Sequence, residues 1–66
     1  MIIHENRTAA EAVLRRLQKE HPGLTHEERI VSIGWPGGSA EYKSISAYWY
    51  DRATDTDHLA DILYKS

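Results

Sequence analysis

Cysteine is absent from this 66-residue chain, which excludes a disulfide framework and a thiolate metal site. No apolar run approaches the roughly 20 residues that span a bilayer. Met1-Ile2-Ile3 meets His4 and Glu5 too soon to form a signal-peptide core. A soluble, cytoplasmic protein with no membrane partner is expected. Excess positive charge is missing too. Eight basic residues face ten acidic ones, for a formal charge of -2, whereas a dedicated nucleic-acid binder is usually clearly basic.

Motifs of chemistry are equally scarce. There is no G-x-S-x-G around any serine. Gly34, Gly37 and Gly38 are not followed by G-K-[ST], so they form no phosphate loop. His4, His21, His26 and His58 contain no pair at the i, i+4 spacing of a zinc helix. Asp51-Arg52-Ala53-Thr54-Asp55-Thr56-Asp57 lacks the glycine and terminal glutamate of a calcium loop. A catalytic centre, a metal and a cofactor are therefore not expected. One domain over residues 1–66 is. A chain this short buries only about 60% of its unfolded surface. Without disulfides or metal, the expected helper is a partner chain, either a second copy or a heterologous protein.

What the chain does have is aromatic residues in one place. Trp35, Tyr42, Tyr48, Trp49 and Tyr50 lie close together, leaving only Tyr64 outside the group. Residues 40–50 alternate at the period of a strand. Ile45, Ala47 and Trp49 share one parity, and Tyr42, Ser44, Ser46, Tyr48 and Tyr50 share the other. The first set suits a core. The second is a Tyr/Ser surface, the composition of recognition sites. Packing decides which side the helices cover.

The remaining elements follow from local signals. Residues 1–4 suit a short edge strand. Thr8-Ala9-Ala10-Glu11 has capping-box spacing, and Ala10, Val13, Leu14 and Leu17 recur at helical spacing. His21-Pro22-Gly23 stops that helix, which is predicted over about residues 8–21. Thr25-His26-Glu27-Glu28 is a second capping-box match. Residues 29–35, however, are rich in β-branched side chains, and Trp35-Pro36-Gly37-Gly38-Ser39 reads as a type II turn. The turn favours a hairpin: strand 29–35, turn 36–39, strand 40–50. Thr54 to Asp57 offers N-caps, and Leu59, Ile62 and Leu63 offer an apolar stripe, so a second helix is predicted at 56–65.

The fold class is therefore α+β: a β-hairpin packed against two short helices, in the order α-β-β-α. The predicted core is Val13, Leu14, Leu17, Val31, Ile33, Trp35, Ile45, Ala47, Trp49, Leu59, Ile62 and Leu63. The candidate partner-binding residues are Tyr42, Tyr48 and Tyr50, with the acidic residues Asp51, Asp55 and Asp57. Helix capping would by itself account for Asp55 and Asp57 fully, and is the commoner reason for acidic residues there.

The resulting expectation is a non-enzymatic protein-binding module for a partner with a basic surface. By analogy of size and composition alone, it is a phage- or mobile-element-type inhibitor, anti-CRISPR-like, that covers a nucleic-acid-binding surface. The alternative is a small nucleic-acid-binding or regulatory protein. It would use the aromatic strand with Arg7, Arg15, Arg16, Lys19 and Arg29.

Overall fold

The structure, a computed structural model, describes residues 2–65; Met1, assigned above to the first strand, and Ser66 lie outside them. The elements run β1 (Ile3–His4), α1 (Arg7–Glu20), β2 (Thr25–Trp35), β3 (Gly38–Asp51) and β4 (Thr56–Tyr64). They form an α+β fold with one mixed four-stranded sheet, ordered β1-β4-β3-β2, and one helix on one face. The expected order α-β-β-α is corrected to β-α-β-β-β. Among the described residues there is one helix, not two.

Helix α1 starts from Asn6 rather than Thr8. The Asn6 side chain accepts from the Ala9 N–H at 3.0 Å, occupying the capping role. Glu11 instead takes Arg7 Nε at 2.7 Å, an i, i+4 pair. At the other end the His21 N–H donates to the Leu17 carbonyl, and Pro22-Gly23 turns the chain. Ala10 and Leu14 are buried, with Val13 and Leu17 half-buried beside them, as their spacing predicts.

Strand β2 begins at Thr25, so the second capping-box match is not a helix start. Eleven consecutive cross-strand pairs run from Thr25↔Tyr48 to Trp35↔Gly38. Cooperative pairing with β3 overrides a local signal of one turn. The connection is shorter than predicted: Pro36 and Gly37 alone separate the strands. Gly37 has φ +94°, as the third residue of a type II turn requires. At Gly38 a Cβ would sit 3.1 Å from the Trp35 indole, closer than ordinary contact, so the ring packs over a position where a side chain would have to push it aside.

The predicted C-terminal helix is strand β4. Leu59, Ile62 and Leu63 fit a helical stripe, but Ala60, Ile62 and Tyr64 fit the period of a strand equally well. The free edge of β3 decides between them. Nine pairs, from Lys43↔Tyr64 to Asp51↔Thr56, satisfy that edge, which a helix would leave without backbone partners. Asp55 adopts φ 52° and Asp51 accepts from the Ala53 N–H at 2.9 Å. These are the habits of turn residues, not helix caps. The short edge strand at the N-terminus is present: β1 runs parallel to β4, with Ile3 beside Leu63 and His4 beside Tyr64.

Helix α1 covers the side of the sheet that carries Ile45, Ala47 and Trp49. The core comprises Ala10, Leu14, Ile45, Ala47, Ile62 and Tyr64, with Val13, Leu17, Leu24 and Trp49 packed against it. Leu63 is also buried, on the other face. Three predicted core residues of β2 and one of β4 belong elsewhere. Trp35 pairs with Gly38, Ile33 with Ala40 and Val31 with Tyr42, so all three fall on the tyrosine face. A loop of even length pairs odd-numbered residues with even-numbered ones, which sets them opposite Trp49. Trp35 is 53% exposed there, and Leu59, opposite Tyr48, is 59% exposed.

Beyond Lys43 the third strand is lost. Residues 31–35 of β2 and 38–42 of β3 pair only with each other, forming an arm on a molecule 45 Å long and 17 Å thick.

Candidate functional site: the open face of the sheet

The side of the sheet without the helix carries Thr25, Glu27, Arg29, Val31, Ile33 and Trp35 from β2. From β3 it carries Tyr42, Ser44, Ser46, Tyr48 and Tyr50, and from β4 Asp57, Leu59, Asp61 and Leu63. The tyrosine parity read from the sequence is thus the parity of the open face.

Three zones succeed one another along it. In the middle, Ser44 and Ser46 are buried because their neighbours are longer: Arg29 and Leu63 flank Ser44, and Glu27 and Asp61 flank Ser46. Ser46 donates to Asp61 Oδ1 at 2.7 Å. Tyr48 donates to Glu27 Oε1 at 2.9 Å, and Arg29 Nη2 donates both to that oxygen and to the Tyr48 hydroxyl, at 2.9 and 2.8 Å. The hydrogen bonds from Arg29 first, then Tyr48, hold the Glu27 carboxyl below the usual carboxylate range. The hydrogen bond to Glu27 holds the Tyr48 phenol above its usual value. A guanidinium, a carboxylate and a phenol therefore share one fixed cluster. Tyr48 has its hydroxyl committed and offers mainly its ring.

The zone next to the β3–β4 turn is aromatic and acidic. Tyr50 is 54% exposed and lies directly opposite Asp57. Its hydroxyl donates to Asp55, which pushes its pKa up. Leu59 adds an exposed apolar side chain. A shallow depression of about 460 Å³ opens at this end, lined in part by Thr25, Tyr48, Trp49 and Leu59.

The third zone, on the arm, is apolar: Val31, Ile33, Trp35, Ala40 and Tyr42. Tyr42 stands six residues from Tyr48, about 20 Å along an extended strand. The six candidate residues are therefore not one cluster. Tyr50, Asp55 and Asp57 come together, Tyr48 adjoins them and Tyr42 is remote. Asp51 belongs to the opposite parity, beside Thr56. It lies 3.7 Å from His58 Nε2, and His58 stacks on Trp49, whose other neighbour is His21 at 4.6 Å between ring centroids. Asp51 serves the turn and the covered side.

Sequence reasoning missed the Glu27–Arg29–Tyr48 cluster, Leu59 and the apolar arm. The signal that finds all of them is the cross-strand register. Among the described residues no group of three His, Asp or Glu side chains could hold a metal ion, and no helix is long and apolar enough to cross a membrane. No family model, curated protein or solved structure matches the chain.

Proposed function

We propose that the chain is a non-enzymatic, cytoplasmic protein-binding module that docks through the turn end of its open face. Tyr50 and Leu59 supply exposed area, Tyr48 supplies a ring held rigid by its hydrogen bonds, and Asp55 and Asp57 supply charge. The partner is a protein with a basic surface. In its most concrete form that surface binds nucleic acid, and the module covers it in the manner of an anti-CRISPR-like inhibitor from a phage or mobile element. The observation that carries the reading is the pairing of exposed aromatic and apolar side chains with carboxylates on a face no helix covers. Rigid aromatics supply affinity, and complementary charge supplies steering and orientation.

The nucleic-acid alternative needs the aromatic strand and the basic helix on one surface. Arg15, Arg16 and Lys19 sit on α1, on the other side of the sheet from Tyr48 and Tyr50. That separation weighs against it.

Affinity capture from source cells tests the proposal. The wild-type chain should retain a partner that Tyr50→Ala with Leu59→Ala releases. Asp55→Lys with Asp57→Lys should release the same partner, and raised salt should weaken its binding. Each variant is checked for unchanged far-UV circular dichroism. Undiminished capture by both double variants would refute the assignment of this face. A gel shift that is strong at low salt and lost at high salt would favour nucleic acid instead.

A further inference from the structure

Strand β2 is an edge of the sheet, paired only with β3. Natural edge strands are shielded by charge, proline, bulges or short length. The half of β2 beside the body follows that rule, with His26, Glu27, Glu28 and Arg29. The half on the arm does not. Ile30-Val31-Ser32-Ile33-Gly34-Trp35 carries no charge and no proline, and its register with β3 is unbroken. In a two-residue hairpin the pair flanking the turn is hydrogen-bonded, and such pairs alternate along the ladder. Trp35, Ile33 and Val31 therefore direct their backbone groups towards β3. Ile30, Ser32 and Gly34 direct theirs outward, away from any strand.

From this edge we infer that the arm pairs with the arm of a second copy, β2 against β2, antiparallel about a two-fold axis at Ser32. The register follows from the side chains. With the axis at Ser32, Val31 of one copy faces Ile33 of the other, and Ile30 faces Gly34. Arg29 faces Trp35, which carries no charge. No like charges meet. Moving the axis to Val31 sets Glu27 against Trp35. Moving it to Arg29 or Glu28 sets like charges opposite each other at the axis. Moving it to Ile33 keeps only the outermost residues in contact. Moving it to Ile30 sets Glu27 against Ile33 and Glu28 against Ser32. Ser32 is the centre that pairs the uncharged residues 30–34 with one another. Ile30, Ser32 and Gly34 of each copy gain backbone partners across the axis. Both open faces then look the same way, on one continuous sheet. The docking proposal above does not enter this argument, and either can fail alone.

Sedimentation equilibrium over a concentration series tests it on the whole chain. The wild type should shift from monomer to dimer as concentration rises. Ser32→Lys, an exposed substitution, places like charges at the axis and should weaken the dimer at least tenfold with an unchanged circular dichroism spectrum. The chain has no other thiol. Ser32→Cys should therefore give an interchain disulfide under mild oxidation, since Cα atoms of a hydrogen-bonded pair lie about 5.5 Å apart, within disulfide reach. Ala40→Cys, on the apolar face of β3, should stay unlinked. A wild type that remains monomeric up to millimolar concentration overturns the inference. So does a Ser32→Lys variant that dimerises like the wild type. A disulfide through Ala40→Cys without one through Ser32→Cys also overturns it, because faces rather than edges would then be packed.

Discussion

Replacing Ser44 and Ser46 in turn by alanine compares a hydroxyl that has no partner with one that has. Both residues sit on β3, on the same face, with 1% and 0% exposure. The substitution is identical, so strand propensity and loss of side-chain entropy nearly cancel. Ser46 donates to Asp61 at 2.7 Å. Hydrogen bonds to charged groups contribute about 1.5–3 kcal/mol, but because Asp61 is exposed to competing water the contribution falls below that range, to about 1 kcal/mol, as for an ordinary hydrogen bond. The Ser44 hydroxyl is buried with no hydrogen-bond partner. Such a group costs about 1–3 kcal/mol in lost hydration, and removing it returns on the order of 1 kcal/mol. Ser46→Ala should therefore destabilise and Ser44→Ala stabilise, a separation of about 2 kcal/mol. In a domain of this size that corresponds to roughly 8–16 °C in Tm. Urea denaturation should show the midpoints moving in opposite directions with the same slope. Tyr64→Phe shares the sign of Ser44→Ala, because the Tyr64 hydroxyl is also buried and unpartnered, at 1% exposure. If Ser44→Ala destabilises as much as Ser46→Ala, the account of this buried strip is wrong.

Trp49→Ala should cost about 2–3 kcal/mol, less than the 3–5 of a fully buried aromatic, because Trp49 is half-buried against the core between two histidines. Trp35→Ala should cost under about 1 kcal/mol in the same denaturation assay, and equal losses would return Trp35 to the core. Phenolate absorbance should show Tyr48 and Tyr50 ionising above the ordinary value of about 10, Tyr48 because of Glu27 and Tyr50 because of Asp55. Their contribution to stability is present below that value and is lost as pH rises through the raised folded pKa. Glu27 behaves in the opposite sense. Its contribution is present above the ordinary carboxylate pKa and disappears as pH falls through its lowered one. Tyr48→Phe should raise the Glu27 pKa measured by NMR, and ordinary titration of both groups would count against the cluster.

The parity of Ile45, Ala47 and Trp49 was readable in the sequence because period two is a local property of β3. So was the stripe Ala10, Val13, Leu14, Leu17 on α1. The placement of Val31, Ile33 and Trp35 needed one more step. Parity within a strand says which residues share a face, but the loop decides which faces of two strands coincide. Residues 56–65 were beyond local reading. Leu59, Ile62 and Leu63 suit a helix, Ala60, Ile62 and Tyr64 suit a strand, and the choice rests with an unpaired edge of β3, distant in the chain. The candidate site was legible to the same extent. Tyr50, Asp55 and Asp57 lie together because a hairpin folds them so. Arg29 and Glu27 join Tyr48 only through β2 register, and Asp51 leaves the group by parity.

The parallel pairing of β1 with β4 brings Ile3 beside Leu63, and the Lys65 N–H donates to the His4 carbonyl at 3.1 Å. The backbone is thereby close to a closed ring, and the order of its elements along the chain is largely a convention. A short linker from residue 65 back to residue 2, with the chain opened between Pro36 and Gly37 at the tip of the arm, would keep every strand pair and all of the core. Circular permutation is tolerated where the cut is exposed and the joined ends are close, and this fold meets both conditions. Each new terminus would then sit at the tip of the arm, where a fused label or domain projects away from the helix.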